Sequence, residues 1–129
     1  MAKHVLFVCE SCSFSREQEK HEGQLGGAHL LNHLLELHQC WPHKAELKIE
    51  SVGCLCTCEQ SCVVALAGEN KPSYLFVDLP PLESAADLLK LGELYLDSED
   101  GYVPNYKLPE TLQPKRLTRI PFWSEGQSD

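Results

Sequence analysis

The stretch QLGGAHLLNHLLELHQC (residues 24–40) decides the fold, because it predicts one amphipathic helix between two apolar strands. At about 100° per residue, its leucines share one side with Ala28, whereas its polar residues share the opposite side. Pro42 follows and ends the helix, since proline cannot continue the hydrogen-bond ladder. The apolar side must pack against another element, and the flanking segments supply one.

Two apolar runs flank this helix. The run HVLFVC (residues 4–9) is rich in β-branched and aromatic residues, which predicts a buried strand. The run ELKIESVG (residues 46–53) alternates between apolar and polar residues, which predicts a second strand. A strand, a helix and a strand in this order predict a βαβ unit, whose two strands are parallel and joined by a right-handed crossover.

The second half of the sequence predicts a hairpin and another helix. The runs CVVALAG and SYLFVDL predict two strands, and the intervening ENKP supplies turn residues. The stretch PPLESAADLLKLGELYL (residues 80–96) predicts the second helix, with proline and acidic residues at its start. This order of elements predicts an α/β, thioredoxin-like fold, in which a βαβ unit, a β-hairpin and a C-terminal helix build a mixed four-stranded sheet.

The remaining segments predict little regular structure. Residues 10–23 are polar and lack periodicity, which predicts a loop. Residues 101–129 contain four prolines, so we expect an extended tail that packs on the domain or trails from it. The expected organisation is therefore one domain over residues 1–100, followed by a Pro-rich tail over residues 101–129.

Composition narrows the classes of function. The chain has 129 residues and a net charge of −8, which disfavours nucleic acid and anionic membranes as partners. The acidic surface instead favours docking onto a basic partner protein. We expect a cytoplasmic protein, because the sequence has no signal peptide and no apolar run near the roughly 18 residues of a membrane span. Seven cysteines in a reducing compartment favour metal or redox chemistry over disulfides.

The predicted strands bring two groups of cysteines together. Cys9 ends the first strand and Cys12 follows it, whereas Cys54 follows the second strand and Cys56 and Cys58 lie in the next loop. The carboxyl ends of parallel strands meet at one edge of a sheet, where α/β folds build their sites. Four thiolates at such an edge suit Zn²⁺ or an iron–sulfur cluster. The pair Cys9-x2-Cys12 alone also suits a thioredoxin-type dithiol.

The other cysteines and the histidines favour structural roles. Cys62 opens a strand beside two valines, where a small buried hydrophobe is expected. Cys40 is expected to be a structural or exposed thiol at the end of the first helix. His38 is expected to be a structural histidine at the helix end. His29 and His33 have metal-ligand spacing but lie on the polar face of the helix, and His4 and His21 are alternative ligands.

The tail contains one basic cluster, which is expected to form salt bridges: Lys115, Arg116 and Arg119.

The cysteine segment VGCLCTCEQSCVV resembles the second cysteine segment of thioredoxin-like [2Fe-2S] ferredoxins and of the small subunit of respiratory NADH dehydrogenase. Cys54, Leu55 and Cys58 match the CLGAC pattern of those proteins, and Cys56 stands at its glycine. The whole chain, from Val5 to Pro121, is similar to a group of small bacterial proteins classed as domain of unknown function 1636. That group is described as predicted metal-binding proteins.

The resemblance implies a ligand set and a function. Matched residue by residue, the ligands are Cys9, Cys12, Cys54 and Cys58, and the possible substitutes are Cys56 and Cys62. The implied protein is an electron carrier with a [2Fe-2S] cluster, not an enzyme, which meets a basic redox-partner protein as a monomer or homodimer. Two alternatives stay open: a zinc-binding protein or metallochaperone without redox chemistry, and a thiol–disulfide oxidoreductase that uses the CxxC pair.

Overall fold

Five strands and two helices carry the fold. A computed structural model describes residues 3–9, 20–21, 24–53, 62–80 and 83–121. The elements, in chain order, are β1 (His4–Cys9), β2 (Lys20–His21), β3 (Gln24–Leu25), α1 (Gly26–Gln39), β4 (Leu47–Val52), β5 (Val64–Gly68), β6 (Lys71–Phe76), α2 (Ala85–Asp97) and β7 (Arg116–Ile120). Short 3₁₀ turns span Asn105–Lys107 and Gln113–Lys115.

The main sheet is mixed, with the strand order β4-β1-β5-β6-β7. β1 and β4 are parallel, with His4 opposite Leu47 and Cys9 opposite Val52. All other neighbours in this sheet are antiparallel. The parallel pair joined through α1 confirms the predicted βαβ unit, and the antiparallel β5 and β6 confirm the hairpin. β2 and β3 form a separate two-stranded ribbon before α1.

Both helices cover the same face of the sheet. Leu6 and Val8 of β1 share one buried cluster with Leu30 and Leu34 of α1 and with Leu88 of α2. Strand residues alternate between faces, so every second residue of β1, β5 and β6 contributes to this core. Because these side chains are removed from water together, the core fixes the order of the strands and the position of both helices.

The predicted four-stranded sheet is wrong by one strand. The expected extended tail contributes β7, which pairs with β6 and places Ile120 opposite Ser73. The proline positions give the physical reason: residues 115–120 lie between Pro114 and Pro121 and keep every backbone N–H for pairing. The hairpin leaves the outer edge of β6 open, and this proline-free segment fills it.

Several element boundaries also differ from the prediction: β2 lies in the predicted loop, α1 begins at Gly26, and β6 begins at Lys71, within the predicted turn. The second helix begins at Ala85 rather than at the prolines, because a turn precedes it: the Ser84 hydroxyl donates to the Pro80 carbonyl at 2.8 Å. The strand β6 ends at Phe76, and Asp78 two residues later has a φ of 56°, which no strand accommodates. The end of β6 lies on the side of the sheet where β1 ends.

Candidate metal centre

Cys9 lies where the two parallel strands end. Its backbone N–H donates to the Val63 carbonyl at 3.1 Å, and it stands opposite Val52 in the parallel register. The side chain is 2 % exposed and belongs to a small apolar cluster with Val63 and Val77, on which Leu75 packs. The strand ladder therefore holds the Cys9 backbone, and apolar neighbours surround its thiol.

This small cluster lies on the face of the sheet that the helices do not cover. Val8 and Val64 are direct partners in the register and both belong to the helix-covered core. Cys9 is the next residue after Val8, so its side chain points to the opposite face. The candidate site thus lies at a strand end, outside the main core.

Cys62, a predicted substitute ligand, lies on the other face. It is fully buried in the helix-covered core together with Val64 and Leu79. Burial raises the pKa of its thiol from 9.0 to about 12, and the neighbouring Cys9 contributes to the rise. Its carbonyl accepts the Leu79 N–H at 3.2 Å. In the absence of a metal, a thiol of this pKa stays protonated at neutral pH. Cys62 as a substitute ligand stays a prediction.

Four other predicted cysteines, namely Cys12, Cys54, Cys56 and Cys58, lie outside the described residues. Cys40 is exposed just after α1, as expected. Within the described ranges, no group of three or more His, Cys, Asp or Glu side chains is arranged to hold a metal ion. The structure therefore locates one predicted ligand, Cys9, and leaves the ligand set as a prediction.

The histidines lie away from Cys9 or make structural contacts. The Nε2–H of His38 donates a hydrogen bond to the Leu47 carbonyl at 2.7 Å. Nε2 carries the proton because a carbonyl oxygen can only accept. His29 and His33 lie on α1. His4 begins β1 and so lies at the end of the strand remote from Cys9. His21 belongs to β2.

The predicted basic cluster contacts aromatic rings instead of carboxylates among the described residues. The Arg116 guanidinium lies over the Tyr74 ring at 5.3 Å and donates to the Val103 carbonyl at 2.8 Å. The Arg119 guanidinium lies over the Tyr102 ring at 4.5 Å. Among the described residues, Arg116 and Arg119 therefore make cation–π contacts where salt bridges were expected, and the sequence does not reveal them because the partners are distant along the chain.

Sequence reasoning missed the apolar residues around Cys9. Val63, Leu75 and Val77 come from the hairpin strands, whose alternation predicts two faces but not which face meets Cys9. The Val77 N–H donates a hydrogen bond to the Lys115 carbonyl at 2.9 Å. This bond connects the cluster to the residue that precedes β7. No helix in the described part of the chain is long and apolar enough to span a membrane.

The comparison with protein families decides the affiliation of the chain. The family described as Protein of unknown function (DUF1636) matches residues 6–122. The chain belongs to the DUF1636 family. Among curated proteins, none matches it. The match spans the strand that ends in Cys9, the cysteine-rich segment and β7, so the family covers the whole described fold.

The DUF1636 chain is also similar to solved structures from Aquifex aeolicus. A thioredoxin-like [2Fe-2S] ferredoxin has 16 % sequence identity and a TM-score of 0.54, covering 99 % of this chain and 100 % of its own. The wild-type ferredoxin at 1.5 Å has 18 % identity and a TM-score of 0.53, covering 84 % and 96 %. A cysteine-to-serine variant has 15 % identity and a TM-score of 0.53, covering 89 % and 98 %. At these identities the likeness shows a thioredoxin-like fold.

Proposed function

We propose that this DUF1636 protein is an electron carrier that holds a [2Fe-2S] cluster through Cys9, Cys12, Cys54 and Cys58. The cluster would supply one-electron redox chemistry, and the protein would set its potential through burial and hydrogen bonds to sulfur. No proton transfer or covalent step by a side chain is required, so the protein acts as a carrier and not as an enzyme.

The register between β1 and β4 is the main observation that supports this proposal. Cys9 stands opposite Val52, and Cys54 follows Val52 by two residues in the sequence. Neighbouring strands lie about 4.8 Å apart, so the chain enters the cysteine-rich segment beside Cys9. Both cysteine groups are thereby attached to adjacent strand ends, which is the arrangement that a shared metal centre requires.

The surroundings of Cys9 fit a thiolate ligand of a soft metal centre. Its thiol lies among apolar side chains at a strand end, on the face opposite the helix-covered core. An apolar shell limits the access of water and thereby influences the potential of a cluster. The similarity to ferredoxins in fold supports the same reading, although it extends to the fold alone.

The charge of the protein supports a basic partner. A net charge of −8 favours encounter with a positively charged redox protein and disfavours nucleic acid. Such an encounter weakens as ionic strength rises, because salt screens interactions between exposed charges. The electron transfer rate to a basic partner should therefore fall with added salt.

Metal and sulfide analysis of anaerobically purified protein tests the proposal. We expect about two iron and two acid-labile sulfide per chain, a visible absorption spectrum, and a paramagnetic signal after one-electron reduction. Zinc without sulfide would contradict the cluster and support the zinc-binding alternative. A metal-free protein that reduces disulfides would support the oxidoreductase alternative.

The variant Cys9→Ser provides the sharpest comparison, with Cys62→Ser and Cys40→Ser as matched controls. We expect Cys9→Ser to lose or alter the cluster spectrum, because serine replaces a thiolate ligand by a harder oxygen. Both controls should keep the iron and sulfide content, since Cys62 is buried on the other face and Cys40 is exposed just after α1. Equal loss in Cys9→Ser and Cys62→Ser would contradict the assigned ligand set.

A further inference from the structure

His4 is partly buried at the end of the sheet remote from Cys9. A Cβ added to Gly68 would lie 2.6 Å from His4 Cδ2 and 3.1 Å from Tyr95 Cε2, so both rings pack directly on this glycine. The His4 and Tyr95 rings meet edge to face, with their centroids 5.7 Å apart. The His4 ring therefore joins β1, the β5–β6 hairpin and the last turn of α2.

The two ring nitrogens of His4 have different surroundings. Nδ1 lies 3.3 Å from the Glu46 carbonyl oxygen, which can only accept, so Nδ1 carries the proton of the neutral ring. Nε2 is buried and has no hydrogen-bond partner in the described part of the chain. A neutral ring leaves only a lone pair unsatisfied at Nε2, whereas a protonated ring would bury an N–H without an acceptor.

The charge of Lys71 adds to the preference of the His4 ring for its neutral form. The Lys71 side chain is 9 % exposed; its ammonium donates to the Tyr95 carbonyl at 2.8 Å and lies 5.0 Å from the Tyr95 ring centroid. Burial and Lys71 lower the pKa of His4 below 6.5, whereas the Glu46 carbonyl and the carboxylates of Glu46 and Glu69 oppose this effect. Burial lowers the pKa of Lys71 below 10.5, whereas Asp100 and Asp97 oppose this effect and favour its charged form.

We propose that protonation of His4 releases the start of β1 from the hairpin and from the end of α2, so that this contact is an acid-sensitive latch. The imidazolium would leave its place against Tyr95 because Nε2–H has no acceptor there and Lys71 repels it. A groove of about 280 Å³, lined by Lys3, Glu46 and Leu96, adjoins the ring and offers water and a carboxylate. The released imidazolium would then contact water and the Glu46 carboxylate.

The direction of the pH dependence follows from the lowered pKa. Above about pH 6.5 the ring is neutral in both the closed and the open form, and the latch is closed. Below that pH the open form binds a proton that the closed form does not, so opening becomes more favourable as pH falls. Opening increases at most about tenfold per pH unit until the pH reaches the pKa of the closed form.

Amide hydrogen exchange at Glu69 tests the latch, because its N–H donates to the Lys3 carbonyl at 3.0 Å and reports on the start of β1. After correction for the intrinsic exchange rate, we expect the opening constant to rise up to about fivefold between pH 6.5 and 5.5, because about half of the open form is already protonated at pH 6.5. The Leu88 amide, bonded to the Ser84 carbonyl at 2.9 Å, serves as a control at the other end of α2 and should not follow this change.

The variant His4→Phe should abolish the pH response at Glu69, because a phenyl ring fills the site and cannot be protonated. His33→Phe, on α1, is the matched control and should retain it. Independently of either variant, an NMR titration of the wild-type ring should place His4 below pH 6.5, and Lys71→Met should move that midpoint upward. A midpoint at or above 6.5, or an equal response in His4→Phe and the wild type, would overturn the proposal.

Discussion

Cys62 should resist alkylation in the native protein while Cys40 reacts readily. Cys62 is fully buried in the core between the sheet and the helices, and Cys40 is exposed after α1. Alkylating reagents attack the thiolate, so both access and the fraction of thiolate limit the rate. The contrast tests whether the Cys62 thiol is a protonated core residue.

The magnitude follows from the pKa of the Cys62 thiol, which burial raises from 9.0 to about 12. This rise lowers the thiolate fraction at neutral pH by about a thousandfold. A more basic thiolate is also more nucleophilic, with a Brønsted slope of about 0.4–0.5, which restores roughly 20-fold. The chemistry alone therefore slows Cys62 by about fiftyfold relative to an exposed thiol of ordinary pKa, and the closed core slows it further.

Iodoacetamide labelling with time-resolved mass spectrometry measures both rates in one sample. Trypsin separates Cys40 from Cys62, but the segment that holds Cys62 also contains Cys54, Cys56 and Cys58, so fragmentation must locate each label. Labelling in urea provides the control, since both thiols should react there. If native Cys62 is alkylated within tenfold of the Cys40 rate, it is neither sealed nor protonated, and its description as a protonated core residue is wrong.

Three substitutions test the packing that holds the fold, each measured as the free energy of unfolding in urea. Tyr95→Phe should destabilise the protein by about 1–2 kcal/mol, because the Pro72 carbonyl loses a buried hydrogen-bond donor at 2.6 Å. The control Tyr106→Phe, on a side chain that is 77 % exposed, should change stability by less than about 0.5 kcal/mol. Equal effects of the two substitutions would contradict the buried hydrogen bond. Gly101→Ala should cost about 2–4 kcal/mol, since its φ is 80° and a Cβ would lie 2.6 Å from Lys71 Cβ; a neutral outcome would show that this turn is not constrained. Leu34→Ala should cost about 2–5 kcal/mol through the cavity it leaves, and a loss below about 1 kcal/mol would mean that the helix does not pack as described.

The local patterns of this sequence predict much of the fold. The leucines of α1 and the apolar run of β1 are enough to predict a βαβ unit, because each pattern needs only neighbouring residues. The hairpin is predictable for the same reason: its turn holds Asn70 with a φ of 58°, and asparagine tolerates this conformation better than most residues. The structure confirms both features.

Features that depend on residues far apart along the chain are not predictable in this way. β7 looks like part of a Pro-rich tail until the open edge of β6 is known, and its pairing then follows from the proline-free segment. The packing around His4 likewise requires Gly68 and Lys71 of the hairpin and Tyr95 of α2, which come from two other parts of the chain. No local pattern connects these residues, because only the folded sheet and helix bring them together.

Cys9 and Cys62 both lie near the end of the sheet where β1 ends. They are the same residue type, but the strand register gives them different surroundings. Cys9 and Cys62 lie near each other, yet the pairing of Val8 with Val64 sends their side chains to opposite faces. On one face the thiol is sealed in the core and stays protonated; on the other it lies at the strand end, beside the residue that leads into the remaining cysteines. A shift of one residue of β5 against β1 would turn Cys62 to the face on which Cys9 lies. Selection of ligands among the cysteines therefore depends on the pairing of two strands as much as on the spacing of cysteines in the sequence.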